Sequence, residues 1–162
     1  MRPTSADSTS GATPEPAAKR RENSTDEQAN IEPLRILMAE DNPINQRVGK
    51  LILQRAGFDI DLVGDGNEAL EAHRSNPYDL ILMDCQMPTM DGFEASRQIR
   101  SLDQPQPVIV AVTANALVGE RERCLEAGMD DYLSKPFQAE QLVALVKKWV
   151  AIRRTSDGKG RP

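Results

Sequence analysis

Between residues 34 and 152 the chain alternates two kinds of apolar pattern. Leu34-Arg35-Ile36-Leu37-Met38-Ala39, Asp79-Leu80-Ile81-Leu82-Met83 and Val108-Ile109-Val110-Ala111-Val112 are short apolar runs, the pattern of parallel strands buried on both faces. Phe58-Asp59-Ile60-Asp61-Leu62 alternates strictly, which predicts an edge strand with one wet face. Tyr132-Leu133-Ser134 reads as a short fifth strand. Helical signals fall between these runs. Asn42-Pro43 supplies an N-cap and a proline at the first helical position. Ile44, Val48, Leu51 and Ile52 then follow the i, i+4, i+7, i+8 spacing of a core-facing stripe, and Gly57 ends the helix. Further helices are predicted over residues 67–75, 92–101 and 117–127, with Gly128 as the last one's stop. A final helix carries Leu142, Leu145, Val146 and Trp149 on one face.

The alternation stops at both ends. Residues 1–33 contain no aromatic residue, no Val and no Leu. Such a segment buries too little apolar surface to offset the entropy of ordering, and a disordered linker or tail is expected. Lys19-Arg20-Arg21 within it reads as a solvated charge cluster. Residues 153–162 are expected to form a second, basic tail, leaving 34–152 as one domain. No output domain for DNA is expected in the ten residues after Ile152.

The formal net charge of -5 argues against a nucleic-acid surface. The acid excess is central: residues 34–152 carry 12 basic and 18 acidic groups. Cys85 and Cys124 lie far apart and outside any metal-binding spacing, which points to a reducing compartment. Neither a membrane-spanning run of about 18 apolar residues nor a signal peptide is legible. A soluble, cytoplasmic segment with no direct membrane contact is expected.

Five βα units predict an α/β doubly wound parallel sheet. In such sheets ligands bind beyond the carboxyl ends of the strands. Those ends supply Glu40 and Asp41, Asp84, Thr113 and Lys135. Singly, each has a bland explanation: a turn, a cap, or a helix-dipole partner. Together they are a constellation of three carboxylates, a hydroxyl and an ammonium. Unneutralised, the carboxylates would raise one another's pKa values. An oxygen-only donor set without His or Cys suits Mg²⁺, and with Lys135 the charges then sum to zero. Carboxylates serve as nucleophiles in aspartyl-phosphate chemistry, which needs positioning and cations on the equatorial oxygens. Lys135 and the metal would supply the cations, and the Thr113 hydroxyl and Ala114 N–H would supply hydrogen bonds.

Ala39-Glu40-Asp41-Asn42, Leu82-Met83-Asp84-Cys85-Gln86-Met87-Pro88 with Met90-Asp91-Gly92, Val112-Thr113-Ala114 and Tyr132-Leu133-Ser134-Lys135-Pro136 resemble the receiver domain of response regulators. The resemblance covers residues 34–152. It implies a flavodoxin-like five-stranded sheet in the order 2-1-3-4-5 with five helices. Asp84 would accept a phosphoryl group from a phosphohistidine on a histidine kinase or a histidine phosphotransfer protein. Glu40, Asp41, Asp84 and the backbone carbonyl of Gln86 would hold Mg²⁺, while Thr113, Ala114 and Lys135 contact the phosphoryl group. Thr113 and Tyr132 would act as switch residues, changing the face formed by the fourth helix, fifth strand and fifth helix. Glu40 stands where some relatives have Asp, one methylene shorter. The wording of the first two motifs is most similar to receivers of hybrid sensor histidine kinases; a stand-alone single-domain response regulator is the alternative.

A haloacid-dehalogenase-like Mg²⁺ phosphatase would also use an aspartyl nucleophile. That family places a second Asp two positions later, where this chain has Gln86. A pseudo-receiver acting as a scaffold is disfavoured by the complete acid, threonine and lysine set. Gln86 and Asn115 are expected to flank the path of an attacking water. His73 is expected on an exposed helix face, Cys85 in the core opposite Asp84, and Met83, Met87 and Met90 in core and loop packing. Trp149 is expected to cover the last helix.

Overall fold

The computed structural model describes residues 33–114 and 117–158. The expected linker through residue 32, Asn115 and residues 159–162 lie outside the described residues. In chain order the elements are β1 (Ile36–Ala39), α1 (Pro43–Arg55), β2 (Ile60–Val63), α2 (Gly66–Ser75), β3 (Leu80–Asp84), α3 (Gly92–Arg100), β4 (Val108–Thr113), α4 (Val118–Glu126), β5 (Asp131–Ser134) and α5 (Ala139–Gly158). All strand pairs are parallel and the order is β2-β1-β3-β4-β5. This is the doubly wound parallel sheet that the alternation predicts, in the flavodoxin-like order that the resemblance implies. Every residue of β1 and β3 is buried, which accounts for their unbroken apolar runs. Leu53, Leu142, Val146 and Val150 fill one face of the sheet from α1 and α5. Leu70, Phe93, Ile99 and Cys124 fill the other from α2, α3 and α4.

The punctuation works as the side chains dictate. Asn42 Oδ1 accepts from the N–H groups of Ile44 and Asn45 and opens α1. Asp65 and Asp91 cap α2 and α3 in the same way. Gly57 and Gly128 adopt φ of 96° and 94°, each closing a helix with a bond from the residue after the glycine back five positions, Phe58 N–H to Leu53 and Met129 N–H to Cys124. Phe58 is therefore spent on the α1 terminus, and β2 begins two residues later than its alternation suggests.

Three expectations are corrected. The stripe of Ile44, Val48 and Leu51 does not face the core: these residues are 72%, 47% and 47% exposed. The helix buries Gly49 and Leu53 instead. A Cβ at Gly49 would stand 2.5 Å from Met38 Cε, so α1 lies on β1 through its glycine side. His73 is fully buried rather than exposed. Its Nδ1 accepts from Tyr78 N–H at 3.0 Å and Nε2 faces the Pro105 carbonyl at 3.3 Å, a pairing that requires the neutral ring. Burial holds its pKa below the ordinary value. Finally, α5 continues past residue 152. Arg153 is buried, donates to the Gln106 carbonyl at 2.8 Å and lies 3.6 Å from Asp79. Counted as tail charge, it is a packed part of the domain, its stem extending the α5 face.

Candidate functional site at the carboxyl edge of the sheet

The strand order turns at β1, whose neighbours β2 and β3 lie on opposite sides, and the carboxyl ends of β1, β3, β4 and β5 open on one rim. Asp84 ends β3 and is buried. Its Oδ1 accepts from the Gln86 N–H at 3.1 Å, and its Oδ2 lies 3.3 Å from Lys135 Nζ. Lys135 reaches across the rim to Glu40 Oε1 at 3.0 Å. The second Glu40 oxygen accepts from Asn42 N–H and Asn45 Nδ2 at 3.1 and 3.3 Å. Gln46 Nε2 donates to the carbonyls of Glu40 and Val63 at 2.7 and 3.2 Å, tying the ends of β1 and β2. The backbone braces the rest: Lys135 N–H donates to the Thr113 carbonyl at 2.7 Å and Cys85 N–H to Val112 at 3.0 Å.

Oxygens of Glu40, Asp41 and Asp84 lie within 4.8 Å of one another. Burial pushes the Asp84 carboxyl up to about 6, and the Glu40 charge adds to the push; the Gln86 N–H and Lys135 hold it back. Burial alone would lower the Lys135 ammonium, yet its bond to Glu40 and the charge of Asp84 hold it above the ordinary lysine value. The acids thus gather with one cation among them and a neutralisation deficit. That donor set, hard oxygens with one acid exposed, fits a divalent cation such as Mg²⁺ that keeps part of its water shell.

A sequence profile described as the response regulator receiver domain matches residues 36–147. The chain belongs to the response regulator receiver domain family. Among curated proteins it is 41% identical over 122 residues to hybrid signal transduction histidine kinase K of Dictyostelium discoideum, covering 70% of this chain and 10% of that protein. It is 39% identical over 132 residues to the sensor histidine kinase GacS of Pseudomonas protegens, covering 78% and 14%. The receiver spans about a tenth of the length of these relatives. The solved receiver domain of sensor histidine kinase PA1611 from Pseudomonas aeruginosa, with a magnesium ion coordinated in its active site cleft, is 44% identical with a TM-score of 0.68, covering 74% of this chain and 99% of that one. The receiver domain of the Saccharomyces cerevisiae response regulator Ssk1, solved with the histidine phosphotransfer protein Ypd1, is 30% identical with a TM-score of 0.67, covering 72% and 88%.

In this receiver the expected residues Glu40, Asp41, Asp84 and Lys135 converge on one point. Thr113 is close by at the end of β4, but its hydroxyl donates to Glu120 Oε2 at 3.2 Å. Ala114 is exposed and lines, with Glu40, Lys135 and Val48, a cavity of about 520 Å³ between α1 and the loop after β5. Tyr132 is half-buried, with the Arg121 guanidinium 5.8 Å from its ring centre. Gln86 is exposed, and Cys85 is wholly buried as expected. Burial pushes both thiols up, that of Cys85 first by desolvation and then by the neighbouring Cys124, so neither is a poised nucleophile. Met83 and Met87 are buried and Met90 packs against them. Trp149 donates to Asp131 Oδ2 at 2.8 Å, pinning α5 to β5.

Two further features near the rim are only partly legible in the sequence pattern. Glu120 is a buried acid in the first turn of α4. The signal for it was its place at i of an i, i+4, i+7 series with Cys124 and Ala127, both buried: an acid in a core stripe. The apolar face of α1 is legible as a stripe, and it points outward rather than to the core.

Proposed function

We propose that this receiver is the phosphoacceptor module of a two-component phosphorelay, and that Asp84 takes a phosphoryl group from a phosphohistidine of a histidine kinase or histidine phosphotransfer protein. The observation that carries this is the buried Asp84 carboxylate held between Lys135 and two further acids whose oxygens lie within 4.8 Å. Asp84 attacks phosphorus through a carboxylate oxygen; the new O–P bond forms as the N–P bond breaks, and the imidazole nitrogen keeps the electron pair. Glu40, Asp41, Asp84 and the Gln86 carbonyl would hold Mg²⁺, whose charge offsets the developing charge on the equatorial oxygens. Lys135 neutralises a further oxygen, Thr113 turns its hydroxyl onto the group, and the Ala114 N–H donates from an opening that a larger side chain would narrow. Tyr132 and the α4-β5-α5 face then carry the altered state. The resemblance to hybrid kinases supports a parent histidine kinase with this receiver as its non-enzymatic acceptor, working in the cytoplasm. No described helix is long and apolar enough to cross a membrane.

The test is incorporation of label from a phosphorylated histidine donor. An acid-stable label, or one that persists undiminished after Mg²⁺ is chelated, would reject the proposal. A hydroxylamine-sensitive, Mg²⁺-requiring label on Asp84 is the expected result.

The same reading assigns the donor's seat. Ile44, Val48 and Leu51 form an exposed apolar row on α1, and Val48 continues into the cavity that Lys135 lines. A helix carrying the phosphohistidine can lie on this row with its histidine over Asp84. Ile44→Asp puts an acid in the first turn, where it suits the helix dipole. It is expected to slow transfer from the protein donor about tenfold or more, the size of an interface anchor's loss. Labelling by acetyl phosphate, which needs no docking, should be unchanged; equal slowing with both donors would refute the assignment.

A further inference from the structure

We infer that Glu120 is a positioning residue that couples the acceptor site to α4, holding the Thr113 hydroxyl in the resting receiver and releasing it when Asp84 is phosphorylated. The inference rests on the phosphoacceptor reading of Asp84. Thr113 Oγ1 donates to Glu120 Oε2 at 3.2 Å, and the two residues are 1% and 6% exposed. A threonine hydroxyl has a single proton to donate. It can serve this carboxylate or a phosphoryl oxygen, and not both. Phosphorylation of Asp84 therefore sets up a competition for one proton, and the loser is the Thr113–Glu120 bond between β4 and α4.

The first turn of α4 is built to respond. Its N-cap position is Leu117, which supplies no capping side chain. Leu117 and Val118 are 69% and 84% exposed, and Gly119, with nothing among the described residues within 4 Å of where a Cβ would stand, follows them. Glu120 and Cys124 are the buried residues of the helix, so Glu120 is where the first turn meets the sheet. The other Glu120 oxygen lies 3.5 Å from the Arg123 guanidinium, which itself stacks 4.2 Å over the Phe93 ring on α3. When Thr113 leaves, Glu120 keeps a cationic partner, and the release does not strand an unpaired buried charge, the costly outcome for an acid in this position. An apolar residue at 120 would pack as well but would have nothing to let go of. The exposed Leu117 and Val118 ride on the released turn, so the event at Asp84 is converted into a change in an apolar surface.

The coupling is tested by the affinity of the full chain for beryllium fluoride with Mg²⁺, read by fluorine NMR. Glu120→Ala removes the resting partner of Thr113 and is expected to tighten apparent affinity about tenfold, the equivalent of about 1.4 kcal/mol. Glu120→Gln retains an amide oxygen for the hydroxyl and is expected to stay within about twofold of the parent. In a Thr113→Val background, Glu120→Ala is expected to change affinity by less than about twofold, since the pair no longer exists to be broken. Equal tightening by Gln and Ala would trace the effect to charge near the anion and overturn the coupling. So would an Ala variant without effect, or one whose effect survives Thr113→Val. A parent chain that binds no beryllium fluoride would overturn the phosphoacceptor reading itself, and is thereby distinguishable from a failure of Glu120 alone.

Discussion

Replacing Asp84 by Asn is expected to abolish labelling from a phosphohistidine donor, a loss on the order of 10³-fold or more, as for removal of an essential nucleophile. The amide oxygen is nearly isosteric but lacks the charge that makes the carboxylate attack. Glu40 and Asp41 cannot substitute, because Glu40 is occupied by Lys135, Asn42 and Asn45 and Asp41 is exposed on the rim. Normal labelling of Asp84→Asn would reject the assignment. The same variant carries a second expectation of opposite sign for stability. The Asp84 carboxyl is raised from 3.8 to about 6 by burial and by Glu40. A group raised on folding contributes stability that is fully present below its unfolded value and is lost as pH rises through the folded one. In the metal-free chain the Asp84 contribution is therefore lost between about pH 4 and pH 6. Thermal melts at pH 7 without metal are expected to show Asp84→Asn more stable than the parent, with the advantage shrinking toward pH 4. Because His73 is shifted downward and titrates in the other direction, the difference between the two chains is the quantity to follow, not either curve alone.

How much of this was legible depends on what each residue's signal measures. The buried strands were legible because both faces of β1 and β3 are covered, and double burial leaves an apolar run with no polar positions to confuse it. The helix ends were legible because Asn42, Gly57 and Gly128 act locally. The rim was legible through topology: once the strands were placed, their carboxyl ends named Glu40, Asp84, Thr113 and Lys135 without knowledge of any contact. The direction of α1 was not. Both of its sides carry apolar residues, and the choice is made by Gly49 against Met38, a close approach that periodicity does not measure. His73 and Arg153 were misplaced for a related reason. Polar type predicted exposure, whereas each is buried because carbonyls at Pro105 and Gln106 receive it, and those partners lie 32 and 47 residues away. Glu120 stands out in the sequence only as an acid in a core stripe; its partner, the Thr113 hydroxyl, lies across a helix–strand contact that periodicity does not measure.

The Asp84 carboxylate is also held in place from behind, and the second large effect is expected there. Gly92 opens α3, and its N–H donates to the Cys85 carbonyl at 3.1 Å. A Cβ at this position would stand 2.2 Å from the Asp84 carbonyl oxygen and 2.9 Å from Met83 Cγ. The Met83 contact could yield by a rotation, but the carbonyl is backbone in a strand paired on both sides, to β1 and β4. Relief requires α3 to lift or the end of β3 to move. Gly92→Ala is therefore expected to cost about 3 kcal/mol, the upper part of the range for overpacking a filled site, and to lower Tm by roughly 10 °C. Because the displaced atom belongs to Asp84, Mg²⁺ affinity is expected to fall in whatever fraction still folds. Gly119→Ala supplies the comparison: it also lies in the first turn of a helix, yet nothing among the described residues stands within 4 Å of the added carbon. There the helix preference for alanine should dominate and raise stability by about 0.5–1 kcal/mol. The two substitutions add the same atom to the same kind of turn, so their difference isolates the contact. If melts show Gly92→Ala no worse than Gly119→Ala, α3 does not rest on β3, and the positioning of Asp84 must come from Lys135 and the Gln86 N–H alone.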